Sequence, residues 1–157
     1  VWSWLPPVRV LRQVNWGLLV FFAGLFIVVR GVEKTQIVAE LAVVARSWYG
    51  DGLATQIPVF SALTVIASNL VSNVPFVILA KDFLNGLQNP PLMWLILAMA
   101  STFAGNLTIP GSVATLIVLE AAKGSGTIGY FEFLRVGVPV TLLTVAAGAL
   151  LLVLIAG

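Results

Sequence analysis

Four long stretches without a charged residue limit what this chain can fold into. They cover 13–29, 52–80, 83–119 and 136–157, and a membrane-spanning helix needs about 20 apolar residues. The whole chain is 60% hydrophobic and 9% charged, whereas an ordinary soluble domain is about 25% charged. A water-soluble globule is therefore excluded, and the sequence predicts an all-α membrane protein.

The missing residue types exclude several kinds of chemistry. The chain has no histidine and no cysteine, so it offers no imidazole base, no thiolate nucleophile and no disulfide. We predict no catalytic residue, no cofactor and no resident metal, and an intramembrane hydrolase is disfavoured. The basic residues are scattered singly and the net charge is +2, so nucleic acid is not an expected partner. Because the chain begins with Val1, we expect it to be part of a longer protein.

Three segments have simple patterns. The segments 15–32 and 136–156 are predicted to be membrane spans, and Pro139 falls in a first turn, where its missing N–H is harmless. Between them, 35–48 has apolar residues at helical spacing and predicts an amphipathic helix lying along the membrane interface. Its apolar face is expected to comprise Ile37, Val38, Leu41, Val44, Ala45 and Trp48.

The segment 53–83 is apolar but is interrupted near its middle. The interruption consists of Ser68, Asn69, Ser72 and Asn73, and a proline, Pro75, follows. We predict two short helices, over 57–67 and 74–83, joined by this polar tip. Eleven residues of helix span about 16 Å, which is about half of the hydrocarbon core. The sequence therefore predicts a re-entrant hairpin that enters and leaves the membrane by one side.

The segment 92–122 is predicted to be one crossing built from two half-helices. Its centre carries Gly105, Asn106, Thr108 and Gly111, and Ser112 follows. Irregular backbone at membrane depth is tolerated only where protein or water covers it. We therefore expect this unwound centre, placed at mid-depth, to meet the tip of the hairpin.

Half-helices that end inside a membrane aim their unpaired backbone groups and dipoles at its centre. Helix ends near Ser68 and Ala104 would present carbonyls to a cation, and helix starts near Asn73 and Pro110 would present N–H groups to an anion. Asn73 and Thr108 are the expected caps of those starts. Opposed helix ends meeting at one point are typical of secondary transporters.

The predicted substrate and ion site contains only neutral side chains. We therefore expect ion coupling to work through dipoles rather than through a titrating group. The site is predicted to comprise Ser68, Asn69, Ser72, Asn73, Gly105, Asn106, Thr108, Gly111 and Ser112.

Two alternatives without a transport site remain open. The hydroxyl residues Ser61, Thr64, Ser101 and Thr102 are each expected to bridge neighbouring helices and no more. The chain would be a purely structural membrane subunit if the polar interruptions were packed shut.

Four sequence segments resemble one transporter family. They are NWGLLVFFAGLFIVVRGVEKT, SNLVSNVPFVIL, AGNLTIPGSVATLIVLEAA and FEFLRVGVPVTLLTV. In that order they are similar to the C-terminal half of the arsenite-permease and sodium/proton-antiporter family, within the ion transporter superfamily that includes citrate carriers. The resemblance extends from Asn15 to Leu154, and it implies one half of an inverted-repeat carrier whose N-terminal half is missing.

The resemblance also implies a mechanism and a location. It implies a homodimer in the bacterial inner membrane that works by an elevator-type motion, with 35–48 as the arm between scaffold and transport domain. It places a transient sodium site at Ser68, Asn69, Gly105 and Asn106, with 105–112 facing the hairpin tip.

The substrate implied is a small anion: arsenite, a related oxyanion or a carboxylate, coupled to sodium ions or protons. The alternative is a sodium/proton antiporter. Where sodium-coupled dicarboxylate relatives have Ser-Asn-Thr, this chain has Ser68-Asn69-Leu70. The lost hydroxyl argues against carrying over the dicarboxylate contacts of those relatives.

Overall fold

The computed structural model of this chain describes residues 16–122, 126 and 128–156. Within these residues the secondary structure is helical throughout, which confirms the all-α prediction. Seven α-helices follow in order: α1 Trp16–Glu33, α2 Ile37–Arg46, α3 Leu53–Val71, α4 Asn73–Leu79, α5 Pro90–Ala104, α6 Val113–Ala122 and α7 Tyr130–Ala156. Short 3-10 helices cover Ala80–Leu84 and Ile109–Gly111.

Two of the described helices, over Leu53–Val71 and Tyr130–Ile155, are long and apolar enough to cross a membrane. Only 33% and 11% of their apolar windows are buried inside the protein. Large apolar side chains such as Phe131 and Leu154 are more than four-fifths exposed. Apolar surface of this extent is typical of proteins whose solvent is lipid.

The segment from α3 to the 3-10 helix Ala80–Leu84 folds back on itself as a helical hairpin. The Tyr49 hydroxyl, just before α3, donates to the carbonyl of Phe83 at 3.2 Å. The Gln56 side chain accepts from the backbone N–H of Gln88 at 2.8 Å. Burial raises the pKa of Tyr49 to about 12, so its hydroxyl stays protonated as the donor. The two ends of the hairpin therefore lie side by side.

The prediction that the first arm of this hairpin is a helix of half the membrane thickness is wrong. Helix α3 has 19 residues, about 28 Å of helix, and it continues through Ser68 and Asn69. Polar residues do not end the helix here because their side chains find hydrogen-bond partners on α5. Pro58 removes only one backbone N–H from the helix. The chain breaks only at Ser72.

Helix α5 lies at the centre of the packing. It runs parallel to α3, since the start of α3 contacts Gln88 and its end contacts Ala104. It runs antiparallel to α7, because Gly137 lies against Asn106 whereas Gly148 lies against Met99. The side chains that are almost completely buried include Phe60, Leu92, Met93, Ile96 and Leu97.

Helix α7 begins six residues earlier than the predicted span 136–156. Charged residues bound the apolar stretch, but a helix need not stop where its apolar sequence stops, and Glu132 and Arg135 are exposed within it. Gly137 lies in the first third of this 27-residue helix. The loop after α5 is therefore level with one end of the apolar part of α7.

Helix α2 turns only part of its predicted apolar face toward the rest of the protein. Val38, Ala42 and Ala45 are buried, and the helix packs on the 3-10 helix Ala80–Leu84. The adjacent stripe is exposed and comprises Ile37, Leu41, Val44 and Trp48. The predicted single apolar face is thus two stripes, one covered by protein and one open.

Helix α1 covers nearly the predicted span 15–32, of which Asn15 lies outside the described residues. Its end is tied to the hairpin, since Lys81 pairs with Glu33 at 3.0 Å, and Arg30 pairs with the same carboxylate at 2.6 Å. Both cations are well exposed, so these ion pairs contribute little to stability.

Candidate functional site

The two interrupted segments meet. The Asn69 side-chain amide, in the last turn of α3, donates to the carbonyl of Ala104, the last residue of α5, at 2.8 Å. The Thr108 hydroxyl donates to the Asn69 side-chain oxygen at 2.8 Å. We call this region, formed by residues 68–73 and 104–112, the junction. The predicted convergence of the hairpin tip and the unwound loop is therefore present in the structure.

Asn69 holds the junction together. Its second N–H donates to the carbonyl of Val65 within α3 at 3.0 Å, so both amide hydrogens are used. Its oxygen accepts from Thr108, whose hydroxyl in turn accepts from the N–H of Gly111 at 3.1 Å. Because its hydrogen-bonding capacity is nearly used up, Asn69 acts here as a link between loops rather than as a free ligand.

The two predicted caps behave differently. Thr108 caps the 3-10 helix Ile109–Gly111 through its bond with Gly111, as predicted. Asn73 is not a cap: Ser72 precedes α4 and makes no capping bond, and the Asn73 oxygen accepts from the Ser68 hydroxyl at 2.9 Å. Asn73 is the first residue of α4 rather than the residue before it, and its side chain bonds to Ser68 of α3 across the tip.

Two glycines allow the backbone to approach these side chains. A Cβ atom at Gly111 would overlap the Asn69 side-chain oxygen. A Cβ atom at Gly105 would lie 2.9 Å from the Ser112 side chain and 3.2 Å from the Asn73 amide nitrogen. Any larger residue at Gly111 would push Asn69 away from the loop. These contacts also show that Asn73, Gly105 and Ser112 lie together.

The predicted site residues therefore divide into two groups. In the linking group the side chains or backbone are engaged with each other; it comprises Ser68, Asn69, Thr108 and Gly111. In the open group, polar atoms make no hydrogen bond within the described part of the chain; it comprises the hydroxyls of Ser72 and Ser112, the Asn73 amide nitrogen and the Asn106 side chain. The open group is the part of the junction that has polar atoms to offer a ligand.

The backbone at Ser72 is strained. Its φ of 82° and ψ of 152° lie in a region that is occupied almost only by glycine and costs about 1–3 kcal/mol for other residues. The strain persists because the chain is held on both sides, by the bond from Ser72 N–H to the Ser68 carbonyl and by α4. Strain of this kind concentrates at functional sites.

We expect Ser72→Gly to raise the stability of the protein by about 1 kcal/mol, because glycine adopts this conformation without strain. Thermal unfolding in detergent measures the change. Ser47→Gly is the matched control, since Ser47 has an ordinary helical φ of −64° and glycine there is expected to destabilise. A loss of stability in Ser72→Gly would contradict the strain.

The hydroxyls predicted to bridge helices do not do so. Ser101 and Thr102 bond back to the carbonyl of Ala98 in their own helix. The hydroxyls of Ser61 and Thr64 are buried in α3 without a hydrogen-bond partner among the described residues. The buried hydroxyl of Thr141 on α7 likewise has no partner among them. The Ala104 carbonyl, predicted to face a cation, instead accepts from the Asn69 amide. Sequence reasoning missed the Ser101 carbonyl as a partner of Ser68.

Helix α7 contacts the junction close to its charged first turns. Gly137 contacts the carbonyls of Asn106 and Leu107, and Arg135 precedes Gly137 by two residues, about 3 Å along α7. The Arg135 side chain is exposed. Residues two apart on a helix face nearly opposite sides, so Arg135 does not face the loop that Gly137 contacts, and the side chains of the junction are all neutral, as predicted.

Apolar helices with two interrupted segments that meet at polar loops are a recurring construction of secondary transporters. The family described as citrate transporter matches residues 1–86, more than half of the 157 residues. The chain belongs to the citrate transporter family, a member of the ion transporter superfamily. This confirms the superfamily that the sequence segments indicated.

Curated relatives cover nearly the whole chain. The "Putative transporter arsB" of Dictyostelium discoideum is 38% identical over 151 residues, which are 93% of this chain and 26% of the relative. The "Silicon efflux transporter LSI3" of Oryza sativa subsp. japonica is 35% identical, over 88% of this chain and 30% of the relative. The "46 kDa membrane protein" of Mycobacterium leprae is 32% identical, over 90% and 35%.

The chain thus spans about a quarter to a third of the length of these curated relatives. No solved structure matches it.

Proposed function

We propose that this chain is part of a secondary active transporter that moves a small metalloid acid or its anion, and that the junction is its binding site. Arsenite is the first candidate substrate. The observation that carries the proposal is the open group of polar atoms where two interrupted helices meet. It is supported by the family and by relatives whose names refer to arsB and to silicon efflux.

The chemistry of the junction suits such a substrate. Arsenite and silicate are conjugate bases of weak acids, and near neutral pH both are mainly uncharged hydroxides. Each hydroxyl of such an acid can both donate and accept hydrogen bonds. The Ser72 and Ser112 hydroxyls and the Asn106 amide can do the same, and the free Asn73 nitrogen can donate. A carboxylate is the next candidate.

The mechanism proposed is alternating access of the elevator type. The hairpin would be re-entrant, and the junction, lying level with one end of the apolar part of α7, would open to one side of the membrane at a time. Sodium ions or protons would supply the coupling. A sodium ion at Ser68, Asn69, Gly105 and Asn106 would have to open the present hydrogen bonds of Ser68 and Asn69 to reach their oxygens. We further propose that a second half of the same protein completes the transporter, and that the complete protein forms a homodimer in the bacterial inner membrane.

The test is growth of an arsenite-sensitive strain that carries the full-length protein. We expect resistance to arsenite, and we expect Asn106→Ala and Ser112→Ala to lower arsenite efflux about tenfold, the effect of one lost hydrogen bond to substrate. The pH optimum of efflux should stay unchanged, because the altered groups do not titrate. Thr102→Ala is the control, since its hydroxyl bonds only within α5.

Two outcomes would overturn the proposal. Rescue of the same strain from sodium stress, without arsenite resistance, would instead identify a sodium/proton antiporter. Wild-type efflux in both Asn106→Ala and Ser112→Ala would remove the junction from substrate binding.

A further inference from the structure

An open groove lies on the surface of α1 near the charged end of the helix. Its volume is about 430 Å³, and the described residues that line it are Phe26, Ile27, Arg30, Gly31 and Lys34. We call it the α1 groove. These positions form one stripe, because residues three and four apart share a helix face. The turn continues to Lys34, whose N–H donates to the Gly31 carbonyl at 3.2 Å. All five residues are exposed, so the stripe is open.

The α1 groove has an apolar half and a cationic half. In the apolar half, Ile27 is 73% exposed and Phe26 is 38% exposed, and the space around Gly31 is open. The cationic half consists of the Arg30 guanidinium and the Lys34 ammonium group, and the Arg30 side chain is 78% exposed. No carboxylate is among the described residues of the lining, so the lining itself is positively charged.

The carboxylate of Glu33 does not cancel this charge. Its side chain is only 13% exposed, and it accepts from Arg30 at 2.6 Å and from Lys81 of the hairpin at 3.0 Å. One negative charge is thus shared between two cations. Arg30 keeps further donors, since a guanidinium group has five N–H bonds, and Lys34 makes no ion pair within the described part of the chain. The groove therefore has positive charge and donors left to offer an anion.

The length of α1 indicates how deep the groove lies in the membrane. Helix α1 has 18 residues, about 27 Å, which is close to the hydrocarbon thickness of about 30 Å, and it covers nearly the predicted span. Arg30 and Lys34 are at its charged end, where the lipid headgroups begin. Phe26 and Ile27 lie one turn deeper, among the acyl chains. The order of the two halves of the groove therefore matches the order of headgroup and chain in a phospholipid.

The chemistry of the groove selects among occupants. A phosphate ion would pair with the cations but would leave the apolar half uncovered, and a hydrocarbon chain alone would leave the cations without a partner. A phospholipid with a net negative headgroup does both, because guanidinium groups bind phosphate through several N–H groups. Basic pockets at the ends of membrane helices bind such headgroups. A zwitterionic headgroup carries its own ammonium group, which repels Arg30 and Lys34.

We propose that the α1 groove binds one anionic phospholipid. The phosphate lies between Arg30 and Lys34, and an acyl chain lies against Phe26, Ile27 and Gly31. The inference rests on α1 as a membrane span and not on the identity of the transported substrate. Because a ligand that binds only the folded state stabilises it, the bound lipid raises the temperature of thermal unfolding.

The test compares two lipids in thermal unfolding of the purified full-length protein in detergent. Dioleoyl phosphatidylglycerol, which is anionic, should raise the unfolding temperature by several degrees, and dioleoyl phosphatidylcholine, which is zwitterionic, should not. Lys34→Gln and Gly31→Trp should each remove most of this rise, the first by loss of charge and the second by filling the groove at constant charge. Each rise is measured from the same variant without lipid, so a change in basal stability does not imitate a loss of binding.

Arg46→Gln is the matched control. Arg46 is exposed and lies outside the lining, and its replacement removes the same charge as Lys34→Gln. We expect the full rise with phosphatidylglycerol in this variant.

Four results would overturn the proposal. No rise with phosphatidylglycerol would mean that the groove binds no such lipid, and an equal rise with both lipids would mean that headgroup charge is not recognised. An equal loss of the rise in Arg46→Gln would show a general attraction of anionic lipid to basic residues. A full rise in Gly31→Trp would place the lipid outside the groove. None of these measurements depends on arsenite transport, so failure of the proposed function would leave them unchanged.

Discussion

Replacing Gly137 with alanine is expected to separate α7 from the junction and to abolish transport. A Cβ atom at this position would overlap the carbonyl oxygen of Asn106 and would lie 2.7 Å from that of Leu107. Both are backbone atoms, so they cannot rotate away as a side chain could. Overpacking of this kind typically costs about 1–3 kcal/mol, and we expect a loss of about 3 kcal/mol in thermal unfolding in detergent, at the upper end of that range.

Two other helical glycines provide matched controls for Gly137→Ala. Gly148 faces the flexible side chain of Met99, whose sulfur is 2.9 Å from the point that a Cβ atom at Gly148 would occupy. Gly148→Ala should therefore cost less than Gly137→Ala. Gly31 has open space around it, and alanine there should stabilise α1 by about 0.5–1 kcal/mol. Equal effects at the three positions would contradict the close contact at Gly137.

Replacing Asn69 with alanine is expected to open the junction itself. The change removes the bonds to Val65, Ala104 and Thr108 together, and the Thr108 hydroxyl loses its acceptor. We expect a loss of stability of about 2–3 kcal/mol and an arsenite efflux rate that falls far below that of Asn106→Ala. The pH optimum should not move, because no titrating group is lost.

Comparing Asn69→Ala with Asn106→Ala distinguishes a residue that joins the two loops from a residue that binds substrate. Asn106 is exposed and belongs to the open group, so Asn106→Ala should slow efflux without changing the unfolding temperature. A double-mutant cycle between Asn69 and Thr108 should give a coupling energy of about 1 kcal/mol. Normal stability in Asn69→Ala, or additive effects in the cycle, would refute the link between the two loops.

The position of the interruption in 92–122 could be predicted from the sequence, because glycine and proline act locally. Helix α5 ends at Ala104 and α6 begins at Val113, on either side of the predicted glycine-rich loop. The convergence of this loop with the hairpin tip followed from a general argument, that polar backbone in lipid must be covered. That argument needs no knowledge of which residues touch.

Features that depend on distant partners could not be predicted in this way. The length of α3 was underestimated because Asn69 stays helical only when the carbonyl of Ala104, 35 residues later, receives its amide. Asn73 was assigned to a cap because its bond with Ser68 across the tip has no sequence pattern. Gly137 carried no expectation at all, since its need for close approach comes entirely from the backbone of another segment.

The partners of the hairpin tip have a consequence for how the protein is made. Ser68 and Asn69 bond to carbonyls that are 33 and 35 residues further along the chain, so these partners leave the ribosome well after the tip does. Until then the tip is polar and incomplete, and lipid cannot satisfy it. We therefore expect the hairpin to remain at the translocon, or in the water beside it, until α5 has been synthesised. The hairpin and α5 would then enter the bilayer together as one unit.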